Sequence, residues 1–255
     1  MRCRHTDQHV DMIRSAKMNP IAILPSATGG NTLIWHAPDA DLRALVEEQR
    51  VDVAVMSTEH GFSPLGAASD FLSEALDVPQ DEIKRLADWN RFENELVTLV
   101  ALRSRREHSS LRGLILAPGE TARCYSKFAT PIYGRPHRDF YYNVVYEAVA
   151  YAAARWDARM VGMSHLSASG RFHQDIAMCT AEATAQVNAG NGRYVESLVF
   201  FGCCITSSAL QGISQLTERH SGSIHRPVAT VIEPRDQVDI VHLSWPHFRS
   251  GAQLP

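Results

Sequence analysis

The stretch with the clearest chemical potential runs Met160-Val161-Gly162-Met163-Ser164-His165-Leu166-Ser167-Ala168-Ser169-Gly170-Arg171-Phe172. It reads as a strand, a loop of small residues, an aromatic and the start of a helix. Small residues let the backbone approach an anion closely, and free N–H groups at the helix start can hold a diphosphate. An ordinary strand–helix turn has the same appearance. His60 and His165 each stand just past a strand end. An imidazole there can act as a base, a phosphate contact or a metal ligand, or be merely structural. Cys203-Cys204 follows an apolar strand, but neither a glycine elbow nor a neighbouring base marks a thiol nucleophile, and buried free cysteine is common. His5-Thr6-Asp7-Gln8-His9 holds metal-capable residues at a spacing that fits no defined site. Neither a metal nor a cofactor is expected.

The elements that must position these residues come from a chain of 255 residues, enough for one large domain or two small ones. Apolar residues make up 45% and charged residues 21%, which supplies a core and carries no signature of disorder. A net charge of −3 and a pI near 6.4 argue against strong non-specific binding to nucleic acid or acidic membranes. Arg103, Arg105, Arg106 and Arg112 lie close together, either as a local basic groove or as a solvated helix end and loop. The five cysteines are odd in number and lack any CxxC spacing, so reduced thiols in a cytosol-like compartment are the simple reading. No apolar h-region follows the first residues, and no apolar stretch approaches the ~20 residues that cross a bilayer. The expectation is a soluble cytoplasmic protein, or one secreted by a route without a standard signal peptide.

Along the chain, Pro20–Pro25 and Thr32–His36 read as a hairpin around the turn Ala27–Asn31. Asp39 and Asp41 precede a short amphipathic helix from Leu42, which either can cap. Val51–Met56 reads as a strand. Leu65–Leu76 and Gln80–Arg106 read as helical, with Val97–Leu102 open to a strand instead. Gly113–Pro118 and Ala122–Ile132 read as extended. Asp139–Trp156 is the clearest helix, with Val144, Val145, Ala148, Val149 and Ala152 on one stripe. Strand Met160–Ser164, helix Phe172–Val187, strand Val195–Phe201, helix Ser208–Arg219 and two β segments, Pro227–Ile232 and Val238–Leu243, complete the chain. Such alternation predicts an α/β domain, three layers α/β/α around a central mixed sheet. Ligands in such folds bind at the carboxyl ends of strands, here the loops after 51–56 and 160–164.

With these segments in place, the chain resembles the macro-domain family. Ser169-Gly170-Arg171-Phe172 stands where the family carries its S-x/T-G-[IVL]-[FY] loop, after a buried strand and before a helix. The helix YYNVVYEAVAYAAARW, the paired strands GLILAPG and ARCYSKFATPIYG, and the closing pair HQDIAMCTAEATAQ and VESLVFFG are similar to the family's elements in the same order. The resemblance covers about 32–202 and is strongest over 113–202. It implies an N-terminal extension, 1–19, and a macro-like domain, 20–255. Macro domains carry N-A-A-N after a V-D-A-I-V strand; here VDVAV at 51–55 leads into Met56-Ser57-Thr58-Glu59.

The resemblance implies a ligand, ADP-ribose or an ADP-ribosylated macromolecule, and site residues to match. Gly170 with Ser169, Arg171 and Phe172, and the reduced glycine run at Gly66-Ala67-Ala68-Ser69, would clasp the diphosphate. Asp39 would accept from the adenine amino group, with Asp41 in reserve, and Phe200 or Phe201 would stack on the adenine or pack the core. Asp70 falls at the family's aspartate, and Glu59 replaces the second asparagine of its motif; together they would bracket the distal ribose as the catalytic pair. Lys127 is either a surface lysine or the counterpart of one that contributes to catalysis in macro domains acting on nucleic acid. Hydrolysis of ADP-ribose from a modified target is the implied activity. The alternative is a binding module that has lost catalysis.

Overall fold

Short β-rich runs separated by helix-period stretches build a single mixed sheet with helices against it. The computed structural model describes residues 18–25, 31–58, 69–87, 92–93, 96–118, 135–164, 184, 187–188, 195–202, 228–235 and 238–244. In chain order the described elements are β1 Asn19–Pro25, β2 Asn31–Ala37, α1 Leu42–Glu47, β3 Val53–Thr58, α2 Ser69–Leu76 and α3 Gln80–Ala87. Next come β4 Phe92–Glu93, β5 Leu96–Arg103, β6 Gly113–Pro118 and α4 Arg135–Trp156. The last are β7 Met160–Met163, β8 Ser197–Phe201, β9 Val228–Arg235 and β10 Val238–Ser244.

The strands lie in the order β1-β2-β8-β7-β3-β6-β5-β10-β9, with β4 paired to β5. The middle five, β2 through β6 in that order, are parallel. Antiparallel strands flank them on both sides. Consecutive burial of Val53, Ala54, Val55 and Met56 follows, because a central parallel strand is covered on both faces.

The two faces can be told apart residue by residue. Ala54, Met56, Leu114 and Leu116 join an apolar core with Leu42 and Leu45 of α1, Leu72 and Leu76 of α2, and Ile83 of α3. Val53, Val55, Ile115 and Ala117 are equally buried and alternate to the opposite face. That face is where α4 lies. A Cβ at Gly113 would stand 2.6 Å from the Trp156 ring and 2.8 Å from the Leu102 carbonyl, so only glycine permits this approach. Tyr151 of α4 also donates a hydrogen bond to Asp239 of β10. The expected three layers are therefore present.

One expected helix is corrected. Gln80–Arg106 is not continuous: α3 ends at Ala87 and β5 occupies Leu96–Arg103. Leu99, Val100, Ala101 and Leu102 are all buried because β5 sits between β6 and β10. A short run apolar on every side has no period, so spacing alone cannot separate strand from helix. α4 starts at Arg135, earlier than the expected Asp139. The hairpin, the strand after it, and the closing β pair stand as expected within three residues. Ala122–Ile132 and Ser208–Arg219 lie outside the described residues.

Asp52 organises the amino-terminal edge of the parallel strands. It is 5% exposed. Its carboxylate accepts from the backbone N–H of Arg159 at 2.9 Å and of Met160 at 3.0 Å. Its own N–H donates to Met160 O, and its carbonyl accepts from Arg112 N. The Arg112 guanidinium lies 3.9 Å from the same carboxylate and donates to the carbonyls of Trp156 and Asp157, where α4 ends. A cation at a helix carboxyl end meets both unpaired carbonyls and the dipole. Burial pushes the Asp52 carboxyl above its ordinary value, while the two N–H donors and Arg112 hold it back. The proposed basic groove is thus in part a structural staple: Arg112 serves Asp52 and α4, and Arg105 pairs with Glu82.

A second buried network ties β2 to β8. Asn188 donates to Thr32 Oγ1 at 2.6 Å and to Val195 O at 3.1 Å, and accepts from Val195 N at 2.8 Å. Thr32 Oγ1 donates to Val195 O as well. Every group is buried and partnered, as the low dielectric requires.

Candidate functional site

Five parallel strands bring five carboxyl ends to one edge. Ala37 of β2 pairs with Phe201 of β8, Phe200 with Met163 of β7, Met163 with Val55 of β3, and Thr58 of β3 with Pro118 of β6. From this edge the chain enters 38–41 and Gly202, which are described, and 59–68, 119–134, 165–183 and 203–227, which lie outside the described residues. Glu59, Gly66, Ser169, Gly170, Arg171 and Phe172 belong to those segments. So do His60, Lys127, His165, Cys203 and Cys204.

Asp39 and Asp41, interchangeable in sequence, separate in the structure. Asp41 is the cap of α1: it has extended backbone, φ −88° and ψ 165°, and accepts from Ala44 N at 2.7 Å. Asp39, two residues earlier, is exposed, and no hydrogen bond or ion pair engages its carboxylate among the described residues. It follows directly on the end of β2, in a turn closed by Ala40 N donating to Ala37 O. The same carbonyl accepts from Gly202 N at 3.4 Å, so the ends of β2 and β8 are stitched side by side. Gly202 has φ +61°, and a Cβ there would meet no atom of the described residues within 4 Å. Glycine lets the chain turn at this point, directly after β8.

Phe201 ends β8 opposite Ala37 of β2 and packs into the core. It is 4% exposed and belongs to the core shared with α1 and α2. A Cβ at Gly162 would stand 3.1 Å from its ring and 2.8 Å from Val51, which shows the ring packed inward. It offers almost no surface for an adenine to stack on, and Phe200, 3% exposed, offers no more.

Asp70 lies in the first turn of α2 and is exposed. The far end of α2 is tied to the β5–β6 connection through Arg105 N to Leu76 O and through the Ser104 and Ser109 hydroxyls to Ala75 O. That connection lies at the amino edge, so α2 runs back across the sheet and its start points toward the carboxyl edge. α1 is its neighbour: the Arg43 guanidinium stands 5.0 Å over the Phe71 ring and 3.6 Å from Glu74. Asp39 and Asp70 therefore precede or open two adjacent helices. An acid in the first turn occupies the positive end of the α2 dipole.

Residues missed in sequence include Gln80, whose side-chain amide donates to Asp70 Oδ1 across ten positions. Asp52 and Asn188 were missed too. An acid opening an apolar strand was the one visible signal for Asp52. Among the described residues no group of three His, Cys, Asp or Glu side chains gathers in metal-binding geometry. Among the described residues no helix is long and apolar enough to cross a membrane.

Comparison with solved structures finds macrodomains. The chain is similar to the macrodomain of Oceanobacillus iheyensis with MES bound, at 11% identity over 77% of this chain and 96% of that one, with a TM-score of 0.48. It is similar to the macro domain of ganglioside induced differentiation associated protein 2, at 15% identity over 73% and 83%, TM-score 0.46. A structure of the Oceanobacillus iheyensis macrodomain with ADP matches at 13% over 78% and 94%, TM-score 0.44. No family model matches the chain, and no curated protein matches it by sequence. At such identities and scores the likeness is one of chain course, and it assigns no residue a role.

Proposed function

We propose that this chain binds ADP-ribose at the carboxyl edge of its parallel strands and hydrolyses the bond joining it to a modified target. The observation that carries the reading is Asp39. It is exposed just past the end of β2, with no hydrogen bond or ion pair on its carboxylate among the described residues, while its neighbour Asp41 caps the helix. A carboxylate so placed is an acceptor for an exocyclic amino group such as that of adenine.

In this reading the backbone N–H groups of Ser169–Phe172, with Gly66, hold the diphosphate, and Arg171 adds a cation. Glu59 and Asp70 flank the distal ribose. One accepts from ribose hydroxyls and fixes the ring; the other removes a proton from water as the water oxygen bonds to the anomeric carbon. The bond from that carbon to the target breaks, its electron pair stays with the target atom, and a proton restores that atom to neutrality. The developing charge on the ribose favours flanking carboxylates. Phe201 takes no part, since its ring is in the core.

The test is turnover of ADP-ribosylated protein with Asp70→Ala and Glu59→Ala, alongside ligand-induced thermal stabilisation. Loss of turnover with stabilisation retained supports the pair, and full activity in both variants rejects it. A second reading, binding without hydrolysis, is favoured by Met56-Ser57-Thr58-Glu59 standing where macro domains carry asparagines. It predicts stabilisation by ADP-ribose and no turnover in the unaltered protein.

A further inference from the structure

We propose that Gln80 is the positioning residue of Asp70, fixing which carboxylate oxygen faces the ligand; this rests on the reading that Asp70 serves the ribose. A carboxylate at an exposed helix start is free to rotate unless a second group holds it. The Gln80 Nε2 amide does so, donating to Oδ1 and leaving Oδ2 without a partner among the described residues.

The donor is itself held in place. Gln80 opens α3 immediately after a corner whose every turn is bonded: Val78 N donates to Ser73 O, Ser73 Oγ donates to Val78 O at 2.7 Å, and Ile83 N donates to Pro79 O. Asp77 makes the turn with φ +56°. Val78 and Ile83 are 3% and 0% exposed, so the corner is anchored in the core, and α2 is pinned to the β5–β6 connection. The amide therefore approaches Asp70 from a rigid base, on an element of its own.

The chemistry of the donor matters. A lysine or arginine in this place would stabilise the carboxylate by charge and weaken it as a base. A primary amide fixes geometry without adding an opposite charge, which suits a group meant to orient a hydroxyl or accept a proton. Asp70 and Gln80 thus form a unit that the sequence spacing of ten conceals.

The experiment uses the full chain and a chromogenic aryl ADP-ribose conjugate, with Gln80→Ala and Gln80→Lys beside Asp70→Ala. Gln80→Ala should lower kcat by about 10- to 100-fold, the cost of a misplaced reacting group. Calorimetric affinity for ADP-ribose and the melting temperature should stay essentially unchanged. Gln80→Lys, which restores a donor but adds the opposite charge that weakens a base, should leave kcat well below wild type and shift its pH profile to lower pH. If Asp70→Ala abolishes turnover while Gln80→Ala keeps full kcat, the positioning role is overturned and the reading of the site survives. If Asp70→Ala is fully active, the reading itself fails. A parallel fall in kcat, affinity and melting temperature makes Gln80 merely structural, which also overturns the proposal. Independently of turnover, Asp70→Asn should shift the side-chain amide resonances of Gln80, and no shift refutes the bond.

Discussion

Replacing Asp52 by alanine tests whether the amino edge of the sheet is organised as described. The substitution strips the acceptor from two backbone N–H groups, those of Arg159 and Met160, in a site only 5% exposed. A buried donor left unmet costs about 1–3 kcal/mol, so the pair would cost about 2–6 kcal/mol. Removing a carboxylate whose burial already disfavours its charge returns part of that, about 1–2 kcal/mol, leaving a net loss of about 1–4 kcal/mol. Folded domains have only about 5–15 kcal/mol in all, so the effect is large. Urea unfolding followed by far-ultraviolet circular dichroism should show a lower midpoint with an unchanged slope. A change below about 0.5 kcal/mol, the size of an ordinary surface substitution, would refute the staple. The pH dependence supplies a second arm. The native carboxyl lies above its ordinary 3.8, so the native state binds the proton more readily than the unfolded chain. Stability from this group therefore falls as pH rises from 3.8 through the raised native value, then levels off. Asp52→Asn lacks the titration, so wild type should lose ground to it across that window.

Asp41→Ala removes the cap of α1 and should lower stability by about 1 kcal/mol, whereas Asp39→Ala should leave the unfolding midpoint unchanged and weaken ADP-ribose binding. Asn188→Ala leaves Val195 N–H without its acceptor in a buried network and should cost about 2–4 kcal/mol by the same urea assay. Gly202→Val forces a branched side chain to φ +61° at the carboxyl edge and should lower stability by about 1–2 kcal/mol in the same urea assay. Gly170→Glu places a carboxylate against the proposed diphosphate seat and should abolish ADP-ribose binding in a thermal-shift assay; unchanged binding would mean that this loop does not hold phosphate.

Much of the architecture was legible because particular segments carry unambiguous patterns. The runs at 51–56 and 113–118 are apolar on both sides and bounded by turns, as central parallel strands must be, and Ala148, Val149 and Ala152 mark the covered face of α4. β5 was half legible, since an apolar run buried on every side looks the same in either secondary structure. Strand order was not legible at all: nothing in the residues of β8 says that it lies between β2 and β7. At the site, two aspartates stood before Leu42, and only the backbone angles of Asp41 decide which one caps. Phe201 shows the reverse failure. An aromatic at a strand end is compatible with stacking or packing, and the side of the sheet it faces depends on register, which here turns it toward α1 and α2. Gln80 and Asp70 meet across a corner, so no local spacing announces them.

In the proposed function the carboxyl edge that carries Asp39 receives ADP-ribose. The most direct measurement is calorimetric titration of the wild-type protein and of Asp39→Ala with ADP-ribose, using AMP and NAD as controls. The wild type should bind ADP-ribose and discriminate against AMP, and Asp39→Ala should bind about ten-fold or more weakly, a difference of about 1.4 kcal/mol. No detectable heat at several temperatures, or equal affinity in the two proteins, would contradict it.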